Sequence, residues 1–410
     1  MKLERSCRSS VCGSRIRVRS HRRDTIPHRV SIARHGGGLS CRHTMNDEPQ
    51  NESFDLNWPL LTADLPGIAG TLKSQPEDFE VEEIPAYPPS GDGEHLFLWI
   101  EKRGVSADEL SRHLSSVLGI SPGDLGIAGL KDKHAVTRQF VSVPSRLESL
   151  VPSLNTDHIR VLSATPHKNK LRTGHLHGNR FRVLVRNVDP DALAKATTIA
   201  ERIGQIGLPN YFGSQRFGHN GSTLKQGLSL LSETGTAREP TRKARDRHRS
   251  NRRFLHRLAL SAAQSWLFNQ VLAERLRDGL LDHVMLGDVM QVCATGGLFI
   301  ALDLAAEQPR FEAHETVVTG PMFGPKMKPA TDEPATREQR VLDAAQLSPD
   351  AFRRYGHLTD GTRRPLLVRP ADLQISAVSD GLWFEFALPS GSYATVLLRE
   401  FMKADSMNDE

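Results

Sequence analysis

Cysteine is almost missing from the body of this chain. Of four cysteines in 410 residues, Cys7, Cys12 and Cys41 crowd the N-terminal segment and Cys293 stands alone beyond Met45. A lone thiol excludes a disulfide framework and a cysteine-rich zinc site, and reads as a reducing, cytosolic compartment. Long apolar runs are missing too: none approaches the roughly 18 residues of a membrane-spanning helix. There is no G-x-x-x-x-G-K-[ST] phosphate loop, no strand-linked G-x-G-x-x-G and no G-x-S-x-G elbow, so no nucleotide cofactor or hydrolase nucleophile is implied. His314 and Glu315 lack the H-x-E…P-C-x-x-C context of a zinc deaminase. The His175/His177 pair lacks further metal partners and reads as polar loop histidines. No metal and no cofactor are expected.

Charge is unevenly placed. Residues 1–44 hold 11 Lys and Arg against two acids, a net of +9, whereas from Met45 on 42 basic residues face 46 acidic ones. The first segment is Arg- and Ser-rich and has no apolar periodicity. It reads as a transit peptide, as a translated upstream stretch with Met45 as the true start, or as a nucleic-acid tail. The composition break at Met45 favours the second, and an N-terminal extension over residues 1–63 is expected to be disordered. The remainder, with 38% hydrophobic and 25% charged residues overall, suits a soluble globular protein of two or three domains.

Patterning begins near Leu72. Phe79 and Val81 alternate with acids across Asp78–Glu83, and His95–Ile100 is apolar on both faces; both read as strands. Ser106 and Glu109 form a capping box before Leu110, Leu114 and Val117, and Gly119 closes that helix. Leu125–Leu130 and Gln139–Val143 read as short strands around the polar loop Lys131-Asp132-Lys133-His134. Over Asn179–Arg186, Phe181, Val183 and Val185 face one way and Arg180, Arg182 and Arg186 the other. Asp191–Ile206 reads as a helix, followed by a Gly-rich aromatic loop, Pro209–Gly218. Residues 238–257 carry nine Lys and Arg against two acids. A long amphipathic helix follows, with Leu255, Leu258, Ala262, Trp266, Leu267 and Val271 as its stripe. Residues 325–340, rich in Pro and charge, read as a mobile loop. Trp383–Leu388 is a strand, and a terminal helix starts after Ser392.

Some polar segments exceed what packing needs. Lys131-Asp132-Lys133 sets one carboxylate among cations, which suits a nucleophile or base and equally a surface salt bridge. Lys170–Phe181 combines cations, the Asn179 amide and an aromatic ring. That is the vocabulary of RNA recognition, where phosphates meet cations and bases stack on rings. A basic hairpin with a core Phe reads the same way, and Asn210–Gly218 reads as a similar site or a structural turn.

Taken together the segments resemble the TruD family of tRNA pseudouridine synthases. The matching motifs are Lys73 with Phe79-Glu80-Val81, Ala128–Ala135 with its G-L-K-D, Leu171-Arg172-Thr173-Gly174, and Gly178-Asn179-x-Phe181. Pro209–Gly218, Gln264-Ser265-x-Leu267-Phe268-Asn269-Gln270, Thr319–Gly324, Arg363-Arg364-Pro365 and Leu388–Thr395 follow in family order. The resemblance implies an α/β (α+β) fold. A mixed-sheet pseudouridine-synthase core, residues 64–206 plus 368–403, would carry an inserted α/β domain characteristic of the family at 207–367. It implies isomerisation of a tRNA uridine, usually position 13, without a cofactor, at a cleft between the two.

In this family Asp132 matches the catalytic aspartate. Phe79, Asn179 and Tyr393 match residues lining the uridine site, and Tyr393 stands where the family usually has Phe. Phe181 would stack at the target base, and Lys73 would contact phosphate or stabilise the Asp132 carboxylate. Lys131, Arg172, Arg216, Arg245, Arg247 and Arg249 are RNA-contact candidates. The implied partner is tRNA, with no membrane and no obligate protein partner. The rival readings are a non-catalytic RNA-binding or RNA-folding protein, which would not need Asp132, and another base-modifying enzyme such as a methyltransferase, against which the absent cofactor loop argues.

Overall fold

Period-2 patterning drives the first part of the chain into a sheet. The computed structural model describes residues 54, 56–129, 131–232 and 247–403, the last stretch with side chains from Arg253 on. The chain forms β1 (Ala69–Thr71), β2 (Phe79–Pro85), β3 (His95–Arg103), α1 (Ala107–Leu118), β4 (Gly126–Ile127), β5 (Val136–Pro144), β6 (Ile159–His167), β7 (Leu176–Val188) and α2 (Ala192–Ile206). It leaves this sheet through β8 (Leu208–Pro209) and builds α3 (Ser222–Ser232), α4 (Arg247–Arg277), β9 (Val289–Val292), β10 (Leu298–Ile300), α5 (Leu304–Glu312), β11 (Thr316–Met322), α6 (Asp332–Ala344) and β12 (Thr362–Pro365). It returns through β13 (Leu367–Val368), which pairs with β8, to β14 (Ala371–Val378), β15 (Gly381–Pro389) and α7 (Ala394–Met402).

The large mixed sheet runs β14-β15-β7-β2-β5-β3-β6, with β1 beside β7 and β4 beside β5. Its described pairings are antiparallel except β2 with β5, which lie parallel at its centre. The inner face of β2 carries Phe79, Val81 and Glu83, all buried. On the outer face Glu80 and Glu82 meet Arg138, Arg180 and Arg182 of the neighbouring strands. Cross-strand charge pairs of this kind stabilise the ladder modestly. Over the β3–β5 end, Leu110, Leu114 and Leu118 of α1 bury against Leu96, Leu98, Ile100 and Val141. The capping box forms as the sequence implies: Ser106 N donates to Glu109 Oε2 at 2.7 Å, Glu109 N to Ser106 Oγ at 3.2 Å, and Gly119 ends the helix at φ 64°. No helix among the described residues is long and apolar enough to cross a membrane.

Three expectations are corrected. Residues 325–340 are not a loop throughout, since α6 begins at Asp332. Its charges hid an inner face: Glu338 is buried and accepts from Arg363 Nη2 at 2.8 Å, beside Val341 and Leu342. The preceding stretch is also tied down, with Thr331 N donating to Gly287 O at 3.1 Å. The long helix is not amphipathic with a single stripe: Leu255 and Leu258 are exposed, while most of 259–273 is buried on all sides. The cause is close helix packing, since a Cβ on Gly227 of α3 would lie 2.0 Å from Ala259 O. Finally, the packed chain starts before residue 64. Trp58 stacks on Tyr211 at 5.8 Å, and Leu61 and Thr62 are buried. Residues 1–53, with the Met45 start, lie outside the described residues, as does Arg245; Arg247 and Arg249 fall in the first turn of α4, without described side chains.

Leu61 and Thr62 share one buried carboxylate. Glu400 of α7 is 2% exposed and accepts from Leu61 N at 2.9 Å, Thr62 N at 3.0 Å and Thr62 Oγ1 at 2.6 Å. Glu400→Ala leaves these donors unsatisfied in the interior. It is expected to destabilise the fold by about 2–5 kcal/mol, read from the denaturant midpoint; a loss under about 1 kcal/mol would mean that water replaces the carboxylate.

Candidate active site

A lysine at an inward position of a strand fixes the polar loop. Lys102 follows Leu96, Leu98 and Ile100 in the alternation of β3 and is fully buried. Its Nζ donates to Val105 O at 2.5 Å and to Asp132 O at 2.8 Å. Burial pushes its ammonium down to about 8, opposed by the Asp132 charge. The Asp132 backbone is therefore held from beneath while its side chain is 44% exposed.

Two further lysines flank it. Lys73 adopts a left-handed backbone, φ 55°, which is uncommon outside glycine and favoured at functional sites. Its Nζ lies 3.9 Å from Asp132 Oδ2 and 4.9 Å from the centre of the Phe79 ring. Lys131 turns inward, donating to Asn179 Oδ1 at 2.7 Å and standing 3.3 Å from Glu83 Oε2. Glu83 and Asn179 face each other across β2 and β7. Burial drives the Glu83 carboxyl above its ordinary range and the Lys131 ammonium below its own, each opposed by the partner's charge. With Oδ1 engaged, Asn179 Nδ2 remains as a donor.

Aromatic rings form the floor. Phe181 stacks on Phe386 at 5.2 Å and meets Phe79 edge-on at 6.2 Å. With 1% of Phe79 and 7% of Phe181 exposed, both rings lie under the cleft rather than projecting into it. The opposite wall comes from the turn before α7. Tyr393 meets Phe212 edge-on at 6.1 Å, and burial raises its hydroxyl pKa. Gly213 permits this approach, since a Cβ there would lie 3.1 Å from Tyr393 Cδ1.

These walls enclose a cleft of about 330 Å³ lined by Phe79, Lys131, Asp132, Asn179, Phe181 and Tyr393. That is the small end of ligand pockets and suits a single nucleoside. Asp132 is the one carboxylate residue in the described lining. Lys73 reaches the cleft through Asp132. Arg172 is exposed and Arg216 half-buried; their neighbours Thr173 and Gln215 line the cleft, and they do not. Among the described residues no group of three His, Cys, Asp or Glu side chains is arranged to hold a metal.

The family model for tRNA pseudouridine synthase D (TruD) matches residues 55–237 and 239–401. The chain belongs to the TruD family. It is 45% identical to the tRNA pseudouridine synthase D of an Anaeromyxobacter species over 84% of this chain and 96% of that protein. It is 41% identical to that of Thermus thermophilus, over 86% and 94%. The fold matches the crystal structure of a putative tRNA pseudouridine synthase D from Methanosarcina mazei with a TM-score of 0.67, at 24% identity, covering 85% of this chain and 97% of that one.

Sequence reasoning passed over Glu83, Lys102, Gln215, Ser392 and Thr395. The first two carried a signal: each is a charge at an inward position of a strand, which in this protein marks a buried tether. The last three lie within the Pro209–Gly218 and Leu388–Thr395 motifs, but only the fold shows that these positions line the cleft.

The Lys131–Glu83 contact makes a testable demand. Removing one partner of a buried ion pair costs about 3–5 kcal/mol, whereas replacing both with apolar residues is tolerated. Glu83→Leu is expected to lower stability by that amount. Glu83→Leu with Lys131→Met should recover most of it in denaturant unfolding yet keep a turnover defect, because Asn179 loses its donor. Full activity in the stable double variant would show that Lys131 serves folding alone.

Proposed function

We propose that the protein isomerises uridine to pseudouridine in tRNA, at position 13, with Asp132 as the catalytic group, in the cytoplasm and without cofactor or obligate protein partner. The observation that carries this is the exposed Asp132 carboxylate, the sole acid in the described lining of a nucleoside-sized cleft, flanked by Lys73 and Lys131. The names of the relatives support the same chemistry.

In this reading the N1–C1′ bond of uridine breaks, the base turns over, and C5 bonds to C1′. The C5 proton is released and N1 takes up a proton, so substrate and product are isomers. A carboxylate serves such a reaction as nucleophile at C1′ or as base toward the ribose. Asp132 is fixed for either role through its backbone, held by Lys102. Asn179 Nδ2 offers a donor to the uracil edge, Tyr393 forms the wall beside the base, and Phe79 and Phe181 supply the apolar floor. Lys73 holds the Asp132 side chain. Arg172, Arg216 and the basic run with Arg245, Arg247 and Arg249 contact phosphates, which position tRNA without reading its sequence.

The β8–β13 ladder, where the chain leaves and re-enters the large sheet, supports a division into a catalytic domain of 64–206 plus 368–403 and an inserted domain of 207–367. Residues 56–63 join the catalytic domain through Glu400.

Asp132→Asn keeps the shape of the side chain and removes its chemistry. It should abolish pseudouridine formation, by about 10⁴-fold or more, at unchanged tRNA affinity. The measurement is single-turnover conversion of unmodified tRNA at saturating enzyme, with the modified position mapped. Retention of a tenth of the wild-type rate would overturn the assignment and favour an RNA-binding role.

A further inference from the structure

Two arginines beside the cleft have no acid to pair with among the described residues. Arg364 is largely buried, lying 4.1 Å over the Phe212 ring and 5.5 Å from that of Phe268. Its Nε and Nη2 donate to Asn210 O, and Nη2 also to Asn210 Oδ1 at 2.6 Å and Gly391 O at 2.9 Å. Arg216 sits 5.7 Å from the same Phe212 ring and donates to the Ser261 and Ser265 hydroxyls. Among the described residues neither forms a salt bridge, whereas Arg363 next door binds Glu338 at 2.8 Å and buried Arg275 binds Asp288 at 2.7 Å.

A half-buried cation without a counterion is unfavourable unless something anionic joins it. Each guanidinium repels the other, and burial pushes Arg364 down to about 10. Each also keeps one terminal nitrogen, Nη1, outside the hydrogen bonds above. Gly391 lines the cleft, and a Cβ on it would lie 3.4 Å from Arg364 Nη1, so that nitrogen faces the cleft wall. The uracil ring is neutral; the anions of a tRNA are its phosphates, and a guanidinium fork matches a phosphate geometrically.

We propose that Arg364 and Arg216 form a seat for a backbone phosphate adjoining the target uridine, so that the phosphate anchors the nucleotide whose base enters the cleft. The proposal deepens the reading of the cleft as a uridine site. Gly391 O and Asn210 hold Arg364 in place, tying the seat to the turn that carries Tyr393.

The test uses tRNA with one neutral methylphosphonate linkage, placed in turn 5′ or 3′ of the target uridine. At one of these positions wild-type affinity should fall about tenfold, the worth of a charge-assisted contact, while Arg364→Gln should show less than a twofold response to the same replacement. Arg364→Gln should also flatten the dependence of log affinity on log salt by about 0.7–0.9, and Arg364→Lys should restore that slope. Arg216→Gln, which sacrifices two hydroxyl contacts and a long approach to the Phe212 ring, repeats the comparison should Arg364→Gln fold poorly. Equal methylphosphonate penalties in wild type and variants, or an unchanged salt slope, would overturn the proposal. Because affinity and slope are read without turnover, they decide the seat even if no pseudouridine forms, a result that would count against the functional reading alone.

Discussion

The buried contact of Lys131 with Glu83 and Asn179 sets where the Asp132 loop can lie. An ammonium taken from water must find partners, and this one finds them only where β2 and β7 place a carboxylate opposite an amide. With Lys131 drawn inward, the next residue turns out, and Asp132 stands in the cleft. The same contact engages Asn179 Oδ1 and so fixes which side of that amide faces a ligand. Lys102 holds the Asp132 carbonyl from β3, so two strands flanking β5 steer one loop. The parallel pairing of β2 with β5 makes this possible, because it starts both strands at the same end of the sheet.

The second wall depends on buried amides rather than charges. Asn269 of α4 accepts from Phe212 N at 2.9 Å and donates to Phe212 O at 3.0 Å, while Gln264 donates to Phe323 O at 2.6 Å. Phe212 in turn carries Tyr393 on its edge and Arg364 over its face. Gln264 and Asn269, polar positions in a helix packed on all sides, therefore serve as backbone tethers. Their chemistry is structural, and that of Asn269 reaches the cleft through the Phe212 loop it holds.

Much of this was legible in the sequence where one strand or helix contained the whole signal. The alternation at Phe79–Glu83 and at Asn179–Arg186, and the Ser106–Glu109 box, depend on near neighbours, and the structure contains each. Legibility failed where the partner was distant. Glu338 reads as a solvated charge until Arg363 is known to meet it, so α6 was hidden. Leu255 and Leu258 fit a helical stripe, but α3 packs against α4 further along, near Ala259. In the site, the Lys131-Asp132-Lys133 motif was visible, while the inward course of Lys131 needed Glu83 and Asn179 from two other strands.

Long-range closure is also the most exacting demand on the fold. Asn179 and Phe181 face the cleft, while Arg180 and Arg182 alternate with them toward the outer ladder. A one-residue slip of β7 would exchange these sets and bring cations where the floor belongs. Glycine guards the register on β15 at both ends. A Cβ on Gly178 would lie 2.2 Å from Leu388 O, and one on Gly381 1.9 Å from Val185 O, the latter at φ 152°. The two strands can approach so closely only in the register that pairs Gly178 with Pro389 and Gly381 with Arg186. That register carries the Ser390–Ser392 turn past Asn179 and delivers Tyr393 to the far wall, so the same backbone constraint that aligns the floor also brings over the opposite side of the cleft.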